Sequence, residues 1–263
     1  MRSRRLMITS VALLALPMAL LVGAQQNHSP AVPVTQQEQN LVPVPGGEPD
    51  CWPGVVPPGG TWGAPLTYGE WAAKWIQWAT SIPKDRNPLL DLTGEFAGEG
   101  QDGPVWFLAG TMGDTGVVRE CTVPRGKAFF FPLLNYWFFN CRDENYTVQE
   151  MREILTWLLD RWCILELTVD GMPVEKLPDF RVASPAFGVN VPENNIHIGF
   201  CNPGQSPPGE YAPVVTEGFY VMLKPFWFGR HHEIYLHGAI CDPVTHEIIF
   251  ESEVTYKLTL ERP

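Results

Sequence analysis

Basic residues are scarce in this chain: Lys and Arg number 18 against 29 Asp and Glu, a formal net charge of −11. A field of that sign repels polyanions at long range, so no nucleic-acid partner is expected and an anionic bilayer is disfavoured. Long apolar runs are scarce too. Beyond residue 24 no stretch of 18 apolar residues occurs, so no membrane insertion is expected once the leader described below is removed. Several signatures are missing altogether: the G-x-S-x-G nucleophile elbow, the phosphate loop, the dinucleotide glycine pattern and the H-E-x-x-H zinc helix. His232 and Glu233 followed by His237 have one residue too many for that last motif. None of the cysteines stands as C-x-x-C, which argues against a zinc ribbon or a thioredoxin-type site. No cofactor and no metal is expected.

What is present begins with a leader. Arg2, Arg4 and Arg5 precede an apolar run over residues 6–21, and Val22, Gly23 and Ala24 supply small residues for cleavage. Residues 1–24 therefore read as a signal peptide, and the location as secreted or periplasmic. Loss of the three arginines leaves 15 basic against 29 acidic residues, a net charge of −14. Six cysteines follow: Cys51, Cys121, Cys141, Cys163, Cys201 and Cys241. An even count in an exported chain suggests three disulfides, with connectivity open and buried free thiols as the alternative.

Residues 25–66 are dense in proline and glycine and read as an extended linker. Residues 67–263 read as a single globular domain. Thr67 and Glu70 have capping-box spacing, and Trp71, Trp75, Trp78 and Ile82 follow on one helical face. Those tryptophans suit sugar stacking, but a helix more often buries its aromatic stripe. Thr147 and Glu150 repeat the box ahead of a second amphipathic helix running towards Trp162. Apolar or alternating runs at 105–109, 117–123, 127–134, 163–169, 217–224, 233–241, 246–252 and 254–260 read as strands. Short strands are also expected near 180–183 and 196–200. Pro124, Arg125 and Gly126 form a tight turn between two of the strands, and Asp170 with Gly171 a hairpin turn. The fold class is α+β: a mostly antiparallel β-sandwich or jelly-roll-like pair of sheets with two packed helices.

Four phrases carry a resemblance. Y-G-E-W-A-A-K-W-I-Q-W, N-P-L-L-D-L-T-G-E-F, G-Q-D-G-P-V-W-F-L-A-G and C-T-V-P-R-G-K-A-F-F-F-P-L-L-N lie between residues 67 and 135. They resemble a family of secreted bacterial proteins with no assigned activity. The H-H-E-I-Y-L-H-G segment is similar to a phrase that in this family runs closer to H-T-I-H-F-G-G, with Glu233 and Tyr235 at the departing positions. The resemblance implies export and brings no mechanism.

Three functions are open. The first is non-catalytic binding of an extracellular glycan or envelope component. Asp91, Gln101, Asn135, Tyr136 and Trp137 would supply an aromatic face and the polar groups that take sugar hydroxyls. The second is a secreted hydrolase using paired carboxylates, with Glu70, Asp91, Glu95 and Glu251 as candidates. The third is a structural envelope protein. On a strand, His231, Glu233, Tyr235 and His237 share one face; a metal there would need His197 or His246 from elsewhere, and a solvated sheet face is the simpler reading.

Overall fold

The computed structural model describes residues 54–60, 65–141, 144–197 and 207–261. The expected signal peptide, most of the expected linker, Cys51, Cys201 and residues 198–200 of one expected strand lie outside them. Eleven strands and two α-helices are described. In chain order they are β1 (Val55–Val56), α1 (Tyr68–Ser81), β2 (Val105–Phe107), β3 (Val117–Val123), β4 (Ala128–Phe139), α2 (Val148–Leu159), β5 (Trp162–Val169), β6 (Met172–Pro173), β7 (Arg181–Ala183), β8 (Phe187–Val191), β9 (Gly209–Leu223), β10 (His231–Cys241) and β11 (Ile248–Leu260).

The strands form two sheets, which makes this an α+β protein with a sandwich-like core. The first runs β1-β9-β4-β2, with β7 and β8 also paired to β9; the second runs β3-β11-β10-β5-β6. Most pairs are antiparallel, but β2 with β4 and β3 with β11 are parallel. The turn at Pro124, Arg125 and Gly126 therefore joins two strands of different sheets, not two neighbours. The runs expected separately at 246–252 and 254–260 are one continuous strand, β11. Val55 and Val56, inside the expected linker, pair with Leu223 and Met222. The structure holds them by a second contact, since the Tyr68 hydroxyl donates to the Val56 carbonyl.

Both helices start at the boxes read from the sequence. Thr67 and Thr147 each accept from the backbone N–H of the glutamate three residues on, and each glutamate side chain returns the bond. Glu70 and Glu150 are held below the ordinary carboxylate range by these bonds. Helix α2 stops at Leu159, and Trp162 opens β5 instead of closing the helix.

Alternation along β9 sorts the layers. Tyr220 stacks on Phe130 and meets Trp75 edge-on, so this side of the first sheet is covered by α1. Phe219 meets Trp162 of the second sheet, while Glu217 accepts from Thr156 of α2. The second sheet and α2 thus share the opposite side. The sheets approach each other tightly where β4 bulges. Leu133 is the extra residue between Pro132 and Leu134, and its carbonyl lies where any Cβ at Gly238 would sit. Only glycine permits that approach.

Cys163 and Cys241 form a disulfide between neighbouring strands β5 and β10, with Cα atoms 5.8 Å apart. Cys141 is also disulfide-bonded. Cys121 is free, which corrects the expectation of three disulfides. It faces inward from β3, where burial pushes its thiol up to about 12. A thiol held protonated in this way is core filler, not a nucleophile.

Candidate functional site

The residues singled out from the sequence fall into two groups. Asp91 and Gln101 belong to the long connection between α1 and β2. The Asp91 carboxylate accepts from Thr93 N, Thr93 Oγ1 and Phe96 N at 2.8–2.9 Å, forming an Asx-type turn. Gln101 clamps the same connection: its amide nitrogen donates to the carbonyls of Ala97 and Phe107, and its oxygen accepts from Phe107 N. Asn135, Tyr136 and Trp137 lie in strand β4, not in a loop. Asn135 donates to the Tyr220 hydroxyl at 2.9 Å. Tyr136 meets Phe250 edge-on, and burial raises its phenol. Trp137 stands edge-on to the ring of His197, whose imidazole burial pushes down to about 4. The polar atoms of Asp91, Gln101 and Asn135 are thus engaged in holding the fold. The tryptophans of α1 are core as well. Trp75 is fully buried, and its indole donates to the Leu108 carbonyl at 2.9 Å.

Burial opposes ionisation of Asp91, but the bonds from Phe96 and Thr93 outweigh it, and the carboxyl stays below its ordinary value. A depressed pKa contributes stability above the unfolded value of about 3.9 and loses it as pH falls through the folded value. Asp91→Asn should accordingly be less stable than wild type at neutral pH. Urea titrations from pH 6 to pH 2 should show that gap shrinking below about pH 4; a constant gap would refute the assignment.

An exposed aromatic group lies elsewhere, in the connection between β9 and β10. This segment, Lys224 to Arg230, carries the chain from the first sheet to the second. Pro225 and Phe226 are buried and anchor it, Phe226 against Phe129. Trp227 and Phe228 project outward, 68% and 88% exposed. Arg125 donates to the carbonyls of Gly229 and Glu261, and Leu260 N donates to the Arg230 carbonyl, so the base of the loop is tied to β11. Lys224 N donates to the Gly54 carbonyl. A cavity of about 400 Å³ opens beside the loop, lined by Lys224, Trp227, Phe228, Asp170 and His232 among others.

His232 organises this pocket. Its ring stacks on Phe226 with centroids 3.9 Å apart. Nδ1 is 2.8 Å from Asp170 Oδ2, and Nε2 is 2.8 Å from the Phe228 carbonyl. Both neighbours are acceptors, and the ring bridges the Asp170 turn and the Phe228 carbonyl. The second Asp170 oxygen accepts from Glu233 N. Asp170 occupies the left-handed turn position that the Asp-Gly pair demands, with φ of 52° and Gly171 at 76°. A turn legible in the sequence therefore aims a carboxylate at the pocket's histidine. The sequence reading missed this loop, although K-P-F-W-F-G-R places three aromatics between turn-forming residues.

A second polar group lies on the open face of the second sheet. His231, Glu233, Tyr235 and His237 do share that face. His237 Nε2 is 2.8 Å from Glu251 Oε1, and Nδ1 is 3.3 Å from Glu166 Oε2. The Tyr235 hydroxyl donates to Glu253 at 3.1 Å; burial and these carboxylates raise its phenol. The group occupies a sheet surface. Among the described residues, no three His, Cys, Asp or Glu side chains are arranged to hold a metal ion, and no helix is long and apolar enough to cross a membrane.

Comparison with protein-family models, with curated proteins and with solved structures finds no match to this chain.

Proposed function

We propose that this is a secreted, non-catalytic binding protein for an extracellular glycan or envelope component, with the loop around Trp227 and Phe228 as its seat. The observation that carries the reading is the exposure of these two rings, 68% and 88%, over a cavity with polar groups beside them. An aromatic ring offers a flat apolar surface to the C–H face of a sugar, while neighbouring donors and acceptors take its hydroxyls. Water is a poor neighbour for two large rings at one loop tip, and covering them with a ligand removes that cost. Export is supported by the leader motif and by the disulfide at Cys163, a bond that persists in oxidising compartments.

Retention on immobilised polysaccharides tests the reading. Trp227→Ala should weaken retention about tenfold, equivalent to about 1.4 kcal/mol, with the unfolding midpoint unchanged because the ring is exposed. Equal retention by the variant would remove the platform from the function. The hydrolase reading retains Glu251 from its sequence candidates and pairs it with Glu166, which the sequence reading did not single out; the two meet at His237 from the strands flanking β10. It requires turnover of a retained polysaccharide, lost in Glu251→Gln. Retention without turnover supports binding alone.

A further inference from the structure

The pocket at the aromatic loop contains three charged or ionisable side chains, and they are not equivalent. Asp170 is engaged on both oxygens, by His232 Nδ1 and by Glu233 N. His232 is engaged on both nitrogens, by Asp170 and by the Phe228 carbonyl. Lys224 is exposed, and among the described residues its ammonium joins no ion pair and no hydrogen bond. Among the described residues the one uncommitted charge in the pocket is therefore positive. Arg125, which holds the Gly229 carbonyl from beneath, and Arg230 at the end of the loop add charge of the same sign. Glu233, on the adjoining strand β10, stands opposite Lys257 in the sheet register.

We propose that the ligand of this platform is an acidic glycan, with Lys224 pairing to its carboxylate or sulfate while Trp227 stacks on the sugar ring. The proposal rests on the platform reading above and adds the charge of the ligand to it. The net charge of −14 expected for the chain without its leader does not oppose this at close range. At physiological ionic strength the Debye length is about 8 Å, so carboxylates on the far face of the sheet are screened; within the pocket Asp170 is occupied on both oxygens, and the Lys224 ammonium is the group left to meet a ligand. The same screening means that association is not steered from a distance, and recognition is settled on contact.

Four soluble probes separate the possibilities: polygalacturonate, its methyl ester, dextran sulfate and dextran. Binding of the full chain is followed by Trp fluorescence at about 50 mM salt. Polygalacturonate should bind about three- to fivefold more tightly than its ester, the size of effect an exposed ion pair supports, and 0.5 M salt should erase the difference. Lys224→Gln should bind acid and ester alike, at the wild-type affinity for the ester. Trp227→Ala should weaken both. A stronger preference for dextran sulfate over dextran than for acid over ester assigns the anion as sulfate; the reverse assigns carboxylate. Equal binding of acid and ester by the wild type, or a preference that survives in Lys224→Gln, overturns the charge assignment and leaves the platform standing. Absence of binding to all four, with uptake onto phosphatidylglycerol vesicles instead, overturns both.

Discussion

Replacing Trp75 by alanine should lower the unfolding free energy by about 3–5 kcal/mol, the range for removing a buried large aromatic. Trp75 is fully buried and lies edge-on to Trp78 and Tyr220, between α1 and the first sheet. Its truncation leaves a cavity at that seam and deprives the Leu108 carbonyl of its donor. Trp75→Phe separates the two losses. It keeps most of the apolar volume and forfeits the hydrogen bond, and should cost about 1–3 kcal/mol. Urea midpoints of the two variants, measured with the slope held in view, decide the matter. An unchanged midpoint in Trp75→Ala would contradict the burial of this face and return the tryptophan stripe to consideration as a ligand surface.

The second large effect is expected at Arg119. This side chain is buried on the inner face of β3, 1% exposed. Nε donates to the Asp91 carbonyl at 2.7 Å; Nη1 donates to the carbonyls of Ala109 and Gly110 and to the Tyr256 hydroxyl. Tyr256 in turn donates to the Ala109 carbonyl and accepts from Ala109 N. One guanidinium thus satisfies the backbone of two connections that contain no regular structure at those points. Arg119→Ala takes the donor from the Asp91 and Gly110 carbonyls and leaves the Ala109 carbonyl with the Tyr256 hydroxyl alone, each orphaned buried acceptor costing about 1–3 kcal/mol. The sum over that group, less relaxation and entry of water, should reach about 3–5 kcal/mol. Arg119→Lys should recover little, because a single ammonium does not reproduce the planar fork that reaches Asp91 and Ala109 together. Thermal unfolding of both variants checks this. Stability within about 0.5 kcal/mol of wild type in Arg119→Ala would mean the carbonyls find other donors.

The parts of the fold that could be read from the sequence are those governed by local rules. The capping boxes at Thr67 and Thr147 specify helix starts through bonds within four residues. The alternation of Val254, Tyr256, Leu258 and Leu260 specifies which face of β11 is buried, and those four side chains are indeed inside. Pairing between distant segments follows no such rule. The tight turn at Pro124 looks like a hairpin but crosses between sheets, because β3 finds its partner in β11 and not in β4. Arg119 was equally readable in principle. Val117, Arg119, Cys121 and Val123 share one face of an alternating strand, so a charge was bound to point inward with the valines. The candidate site was harder. Phe226, Trp227 and Phe228 are consecutive in a loop, and a loop has no period to say which ring is buried. Only the tertiary contacts of Phe226 with Phe129 and His232 separate the anchor from the two exposed rings. The strand expected over 127–134 runs on through Asn135, Tyr136 and Trp137 to Phe139, because β9 continues beside it as far as Val214.

The position of β11 has a consequence for how the chain is made. It is the last of the described strands and lies inside its sheet, with β3 on one side and β10 on the other. Val117 waits for Val254, a partner 137 residues downstream. As the polypeptide leaves the ribosome, β3 therefore has no partner strand until β11 has been synthesised, and loop closure over such a distance is slow. Early folding of the nascent chain is held back by topology alone. The second sheet is completed only when β11 inserts between β3 and β10.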